Sequence, residues 1–163
     1  MIEQARLRAL PFFTGLSEQV IAALAVDGQE RDLAAGDLVI EQNDEASEVF
    51  FLVQGSVQLL LRYEGVGDLF MGSFQEPGSI FGWSALRPPF RYTDSVRCEQ
   101  PTRLLCLSRA GLESVISADP EVGFVLLQRV TGEVARQLEI TRGLLGVREP
   151  LPQPVPESAE ADF

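Results

Sequence analysis

Residues 78–96 read GSIFGWSALRPPFRYTDSV. A β-like run through Ile80 and Phe81 ends at Gly82, a position without a Cβ where the backbone comes close to whatever lies against it. Trp83, Ser84 and Ala85 then open a short helix, and the first N–H groups of a helix lack intrahelical acceptors and suit an anion. The Pro88-Pro89 pair stops that helix, and beyond it come the guanidinium of Arg91 and the hydroxyls of Tyr92, Thr93 and Ser95. Phe81, Gly82, Trp83, Ser84, Ala85, Arg91, Tyr92, Thr93 and Ser95 are therefore the candidate ligand-binding residues, in a layout suited to a small anion.

On both sides of this stretch, from Asp37 to Ser108, short runs of Val, Leu, Ile and Phe are separated by turn signals at residues 42–46, 54–55, 64–67 and 75–78. A spacing of roughly ten residues points to a mainly β fold, an antiparallel sandwich or roll of the jelly-roll kind, with flanking helices. Val49 to Val53 is apolar throughout and reads as a central strand, whereas Ser56 to Arg62 alternates in part. Gly36, Gly55, Gly78 and Gly82 occupy turns, and Asn43 sits where a left-handed residue fits.

Ser17 caps an N-terminal helix whose apolar stripe is Val20, Ile21 and Leu24. A second helix begins at Arg109, and Asp119 followed by Pro120 starts a long third one, about 119–145. In it Leu127, Thr131, Val134, Leu138, Thr141 and Leu145 are spaced as a heptad seam, the signature of a parallel homodimer, with Phe124 and Val130 turned toward the barrel. The other reading of the stripe is that it packs on its own barrel. One domain, residues 1–147, is expected, followed by an acidic, proline-rich, disordered tail at 148–163.

Composition narrows the function. The chain of 163 residues carries a formal charge of −11 and no histidine, which disfavours direct DNA binding and removes the usual general base and metal ligand. Cys98 and Cys106 lie in apolar runs and read as buried free thiols, with no metal set. Glu45 and Glu48 read as solvated turn carboxylates, so no enzyme is indicated. No apolar run is long enough for a membrane span and residues 1–13 lack the apolar core of a signal peptide, so a cytoplasmic location is expected.

Over residues 10–145 the chain closely resembles the cyclic nucleotide-binding domain of the CRP/FNR type, without a helix-turn-helix output domain. Phe81-Gly82, Ala85-Leu86 and Ser95-Val96 match that family's phosphate-binding cassette. The resemblance implies an antiparallel β-roll with an N-terminal helix and a long C-terminal dimerisation helix. It also implies a possible cyclic nucleotide ligand, cAMP or cGMP, with no cofactor required. The family's ribose-binding glutamate falls on Trp83 and its phosphate-binding arginine on Tyr92, with Arg91 one place earlier; Asp94 brings a carboxylate to the same place. Thr141 inherits the hydroxyl that touches the base, and Arg142 stands where a second hydroxyl is expected. Two functions follow. One is a non-enzymatic regulatory sensor that binds a cyclic nucleotide or related anionic ligand and signals to a protein partner. The other is a ligand-free dimeric scaffold whose pocket is filled by Trp83.

Overall fold

The computed structural model describes residues 1–144 and residue 146. Leu145, at the end of the expected seam, and the expected tail at 148–163 lie outside the described residues. Eight strands form two antiparallel four-stranded sheets. The first has the order β1 (Gln29–Leu33), β8 (Thr102–Ser108), β3 (Glu48–Gln54), β6 (Ile80–Phe81). The second has the order β2 (Leu38–Ile40), β7 (Ser95–Cys98), β4 (Val57–Tyr63), β5 (Gly67–Phe74). This is the expected roll, and Val49 to Leu52 is buried in an interior strand between β8 and β6.

Aromatic side chains weld the sheets together. Phe50 and Phe81 are register partners on β3 and β6 and stack at 5.4 Å between ring centroids. Phe81 also stacks on Phe74 of β5 at 5.7 Å, which carries the contact from the first sheet to the second. A second cluster, Phe12, Phe13 and Phe51, closes the N-terminal end with centroids 4.9 to 5.1 Å apart.

Three of the helices begin where the sequence indicates, and another, at Gln4–Arg8, was not expected. In α1 (Gln4–Arg8) only Leu7 is buried, while α2 (Glu18–Asp27) starts with the Val20 N–H donating to Ser17 Oγ and buries Val20, Ile21 and Leu24. Ser108 caps α3 (Arg109–Ala118) by accepting from the Gly111 N–H. Asp119 caps α4 (Pro120–Leu144) by accepting from the N–H groups of Glu121 and Val122. Arg129 of α4 reaches the carbonyls of Phe12 and Thr14 and fastens the long helix to the N-terminal segment.

Three expectations need correction. Phe124 does not face the barrel; it is 68% exposed, because Val122, Leu126 and Val130 take the inward face of α4. Glu48 is a strand residue rather than part of a solvated turn, and its carboxylate pairs with Arg31 at 2.6 Å. The turn after Gly82 is a single 3-10 turn, Trp83–Leu86, in which the Ala85 N–H already donates to the Gly82 carbonyl, so only part of the expected anion cradle exists. Cys98 and Cys106 are buried free thiols, as expected, and burial pushes the Cys106 thiol up to about 12.

If Phe81 joins the sheets, Phe81→Ala should cost about 3–5 kcal/mol in urea unfolding, the range for a fully buried aromatic. A loss below about 1 kcal/mol would place the weld elsewhere.

Candidate functional site

The cleft beside Phe81 grows directly out of this aromatic weld. Gly82 follows it with φ 79°, and a Cβ there would meet the Phe50 ring at 2.9 Å, so only glycine turns the chain here without displacing the stack. Beyond the proline pair the chain returns as an extended segment, bridged to the β2–β3 turn through Glu45 and Arg91. Asn43, with φ 74°, donates its N–H to the Tyr92 carbonyl, and the Tyr92 N–H donates to the Asp44 carbonyl.

Neighbouring residues of an extended segment point to opposite sides. Tyr92 points inward, 7% exposed, so Arg91 points outward and donates to the Asn43 carbonyl at 2.7 Å. The Tyr92 hydroxyl donates to the Glu48 carbonyl at 2.9 Å and accepts from the Glu48 N–H at 3.2 Å, bolting the cassette to the start of β3. Phe90 is held from the other side by the Arg109 guanidinium, 4.5 Å over its ring.

Between these walls lies a cleft of about 20 Å³, lined by Ile40, Leu59, Phe81, Gly82, Trp83, Ser84, Tyr92, Thr93, Asp94 and Val96. That volume holds about one water. Six expected ligand residues line it: Phe81, Gly82, Trp83, Ser84, Tyr92 and Thr93. Four do not: Ala85 is packed in the core, Arg91 faces out, Ser95 Oγ accepts from the Gln42 N–H, and Thr141 donates to the Met71 carbonyl at 3.4 Å.

No basic side chain among the described residues lines the cleft, and Asp94 does. Burial raises the Asp94 pKa above its ordinary value, and the hydrogen bond from Thr93 offsets only part of that push. The Tyr92 hydroxyl is also held protonated to higher pH, chiefly by burial. A phosphate entering here would meet hydroxyls and a carboxylate rather than a guanidinium, a poor exchange for its hydration.

Gln137 was missed in the sequence. It belongs to the barrel-facing stripe of α4, is 7% exposed, and its Nε2 donates to the Met71 carbonyl at 3.4 Å, while its Oε1 is buried without a partner. An unpaired buried acceptor costs about 1–3 kcal/mol. A polar residue on a helix face otherwise occupied by Leu126 and Val130 was the signal that would have found it.

The sign of the Asp94 shift sets a pH test. An acid with a raised folded pKa adds stability below its ordinary pKa of about 4 and loses that stability as pH rises through the folded value. Asp94→Asn should therefore melt higher than the parent at pH 7, with the gap closing toward pH 3. A gap that stays constant with pH would mean that the carboxylate is not desolvated.

Comparison with known proteins gives consistent results. The cyclic nucleotide-binding domain family matches residues 30–119, more than half of the chain. A "Putative Cyclic nucleotide-binding protein" from Geobacter metallireducens GS-15 superposes with a TM-score of 0.74 at 29% identity, covering 85% of this chain and 99% of its own. The catabolite activator protein of Thermus thermophilus shares the fold, with a TM-score of 0.65 at 22% identity over 84% of this chain and 62% of its own. A Pycsar effector protein of Xanthomonas perforans is 28% identical over 76% of this chain and 36% of its own length. A "Putative potassium channel protein" of Rhodopseudomonas palustris is 26% identical over 86% of this chain and 33% of its own. The chain thus spans about a third of the length of these two curated relatives.

Proposed function

The chain belongs to the cyclic nucleotide-binding domain family, and from that premise we propose that it is a regulatory module that pairs with a second copy along α4 and takes its input at the Phe81–Asp94 cleft. The observation that carries this reading is the two-sidedness of α4. Its inner face touches the cleft-bearing barrel through Gln137, Ile140 and Thr141 at Met71 and Gly72. Its outer face leaves Phe124, Leu127, Val134 and Leu138 exposed, the last at 51%, with Thr131 between them. That outer stripe repeats at intervals of three and four residues, so it is complementary to a copy of itself. Phe124, which the sequence reading had placed inside, extends the seam by one position, whereas Thr141, which that reading had placed in the seam, turns to the barrel and donates to the Met71 carbonyl.

A ligand that favours one placement of α4 over another would shift the geometry of the pair, and a partner protein bound to the pair would read the shift. The ligand is a cyclic nucleotide or a related small molecule. Asp94 weakens any anionic member of that class, and Arg91 gains a part only if its hydrogen bond to the Asn43 carbonyl is released. The alternative, a ligand-free dimeric scaffold, draws its support from the 20 Å³ cleft and from the Tyr92 hydroxyl already committed to Glu48.

Two measurements test these readings together. Leu138→Glu should convert a dimer to a monomer by light scattering, and a dimer that survives the change would move the interface off α4. Titration with cAMP and cGMP should raise the melting temperature of Asp94→Asn more than that of the parent, because the carboxylate that opposes the phosphate is gone; ligand at 100 times Kd stabilises a fold by about 2.7 kcal/mol. No shift in either protein at millimolar ligand would favour the scaffold.

A further inference from the structure

We propose that the cleft receives a primary ammonium group carried by a small molecule, with the Asp94 carboxylate, Ser84 Oγ and Thr93 Oγ as its acceptors. The proposal rests on the reading of the cleft as an input site and names the class of molecule that the site prefers.

The open polar groups of the wall are acceptors. Ser84 lines the cleft, is only 5% exposed, and its hydroxyl has no hydrogen-bond partner among the described residues. A side chain so deeply buried is ordinarily paired, so an unpaired hydroxyl on a cleft wall points to a ligand. Thr93 Oγ spends its proton on Asp94 Oδ2 at 2.7 Å and has only lone pairs left to offer. That bond is the one Asp94 makes among the described residues, so its Oδ1 is open, and an ionised carboxylate only accepts. The remaining hydroxyl of the wall is occupied, since Tyr92 both donates to and accepts from Glu48. An ammonium nitrogen carries three donors and no acceptor, which matches this set.

Charge points the same way. No basic side chain among the described residues lines the cleft, and Arg91 is turned outward onto the Asn43 carbonyl. A half-buried carboxylate without a countercharge is costly, and a cation brought beside it offsets that cost. Trp83 adds an indole wall, the aromatic surface that attracts cations best. The formal charge of −11 on the whole chain draws cations toward the protein and repels anions.

Size then selects among cations. About 20 Å³ admits one non-hydrogen atom of the size of a water. A phosphate or a guanidinium is several times larger, whereas an ammonium nitrogen fits and the body of its molecule stays at the mouth of the cleft.

Trp83 is the only tryptophan in the chain, so its fluorescence reads the cleft directly. The full chain is titrated with butylammonium chloride, butanol and sodium butyrate, which share a carbon skeleton and differ in the head group, and with cAMP. The expected result is a saturable change with butylammonium at an affinity about tenfold or more above that of butanol, and none with butyrate. Asp94→Asn and Ser84→Ala, each checked for folding by its melt, should erase most of that preference. In Asp94→Asn the order should also reverse, with cAMP binding more tightly than the amine. Equal affinity for amine and alcohol, or a preference for the amine that survives both substitutions, overturns the inference. Tighter binding of cAMP than of butylammonium to the parent overturns it while leaving the input reading intact. If neither butylammonium nor cAMP changes the fluorescence of any of the proteins, the input reading falls and takes the inference with it.

Discussion

The stack of Phe81 between Phe50 and Phe74 is the contact on which the rest of the structure depends. Phe81 of β6 stacks on Phe50 of β3 within one sheet at 5.4 Å and on Phe74 of β5 in the other at 5.7 Å, and each such pair adds about 0.5–1.5 kcal/mol beyond the area that it buries. Because Phe81 is also the first residue of the cassette, the same contact that closes the roll sets where Gly82 turns and where the cleft opens. Because Phe74 lies under α4, with the Arg136 guanidinium 5.9 Å from its ring, the contact continues into the long helix. Core, cleft and helix are thus one packed unit rather than three neighbouring parts.

Within that unit the cassette is held by groups that the sequence reading assigned to a ligand. Tyr92 spends both capacities of its hydroxyl on the backbone of Glu48, and Arg91 spends a strong donor on the Asn43 carbonyl. Each bond stabilises the loop by about 1 kcal/mol, more where a charge is involved. Any ligand must repay what it displaces. Asp94 adds a further requirement, since a desolvated carboxylate favours a neutral or donor-bearing neighbour over a phosphate.

Much of the architecture was legible in the sequence because its signals are local. Ser17 and Asp119 cap their helices as small polar residues before an apolar stripe do, Val49 to Leu52 reads as an interior strand from its unbroken apolarity, and Asn43 takes the left-handed conformation that its side chain tolerates. The site was legible only as a stretch of chain. That Arg91 turns outward follows from the strand parity that puts Tyr92 inside, and parity is fixed by the pairing of residue 91 with residue 45, a contact no local pattern announces. Phe124 was misplaced because apolar character alone does not say which of two stripes on α4 packs on the barrel. Gln137 was missed for the complementary reason, that a polar residue reads as surface until the helix face it shares with Leu126 and Val130 is known.

The cleft and α4 are proposed to respond together, through Phe74, Gly72 and Met71. Hydrogen exchange on the purified protein, with and without cAMP at a concentration that shifts the melting temperature, follows residues 78–96 and residues 134–142 in one experiment. The account predicts that ligand slows exchange in the cassette and changes it in the helix at the same ligand concentration. Protection confined to the cassette, with the helix unchanged, would contradict it.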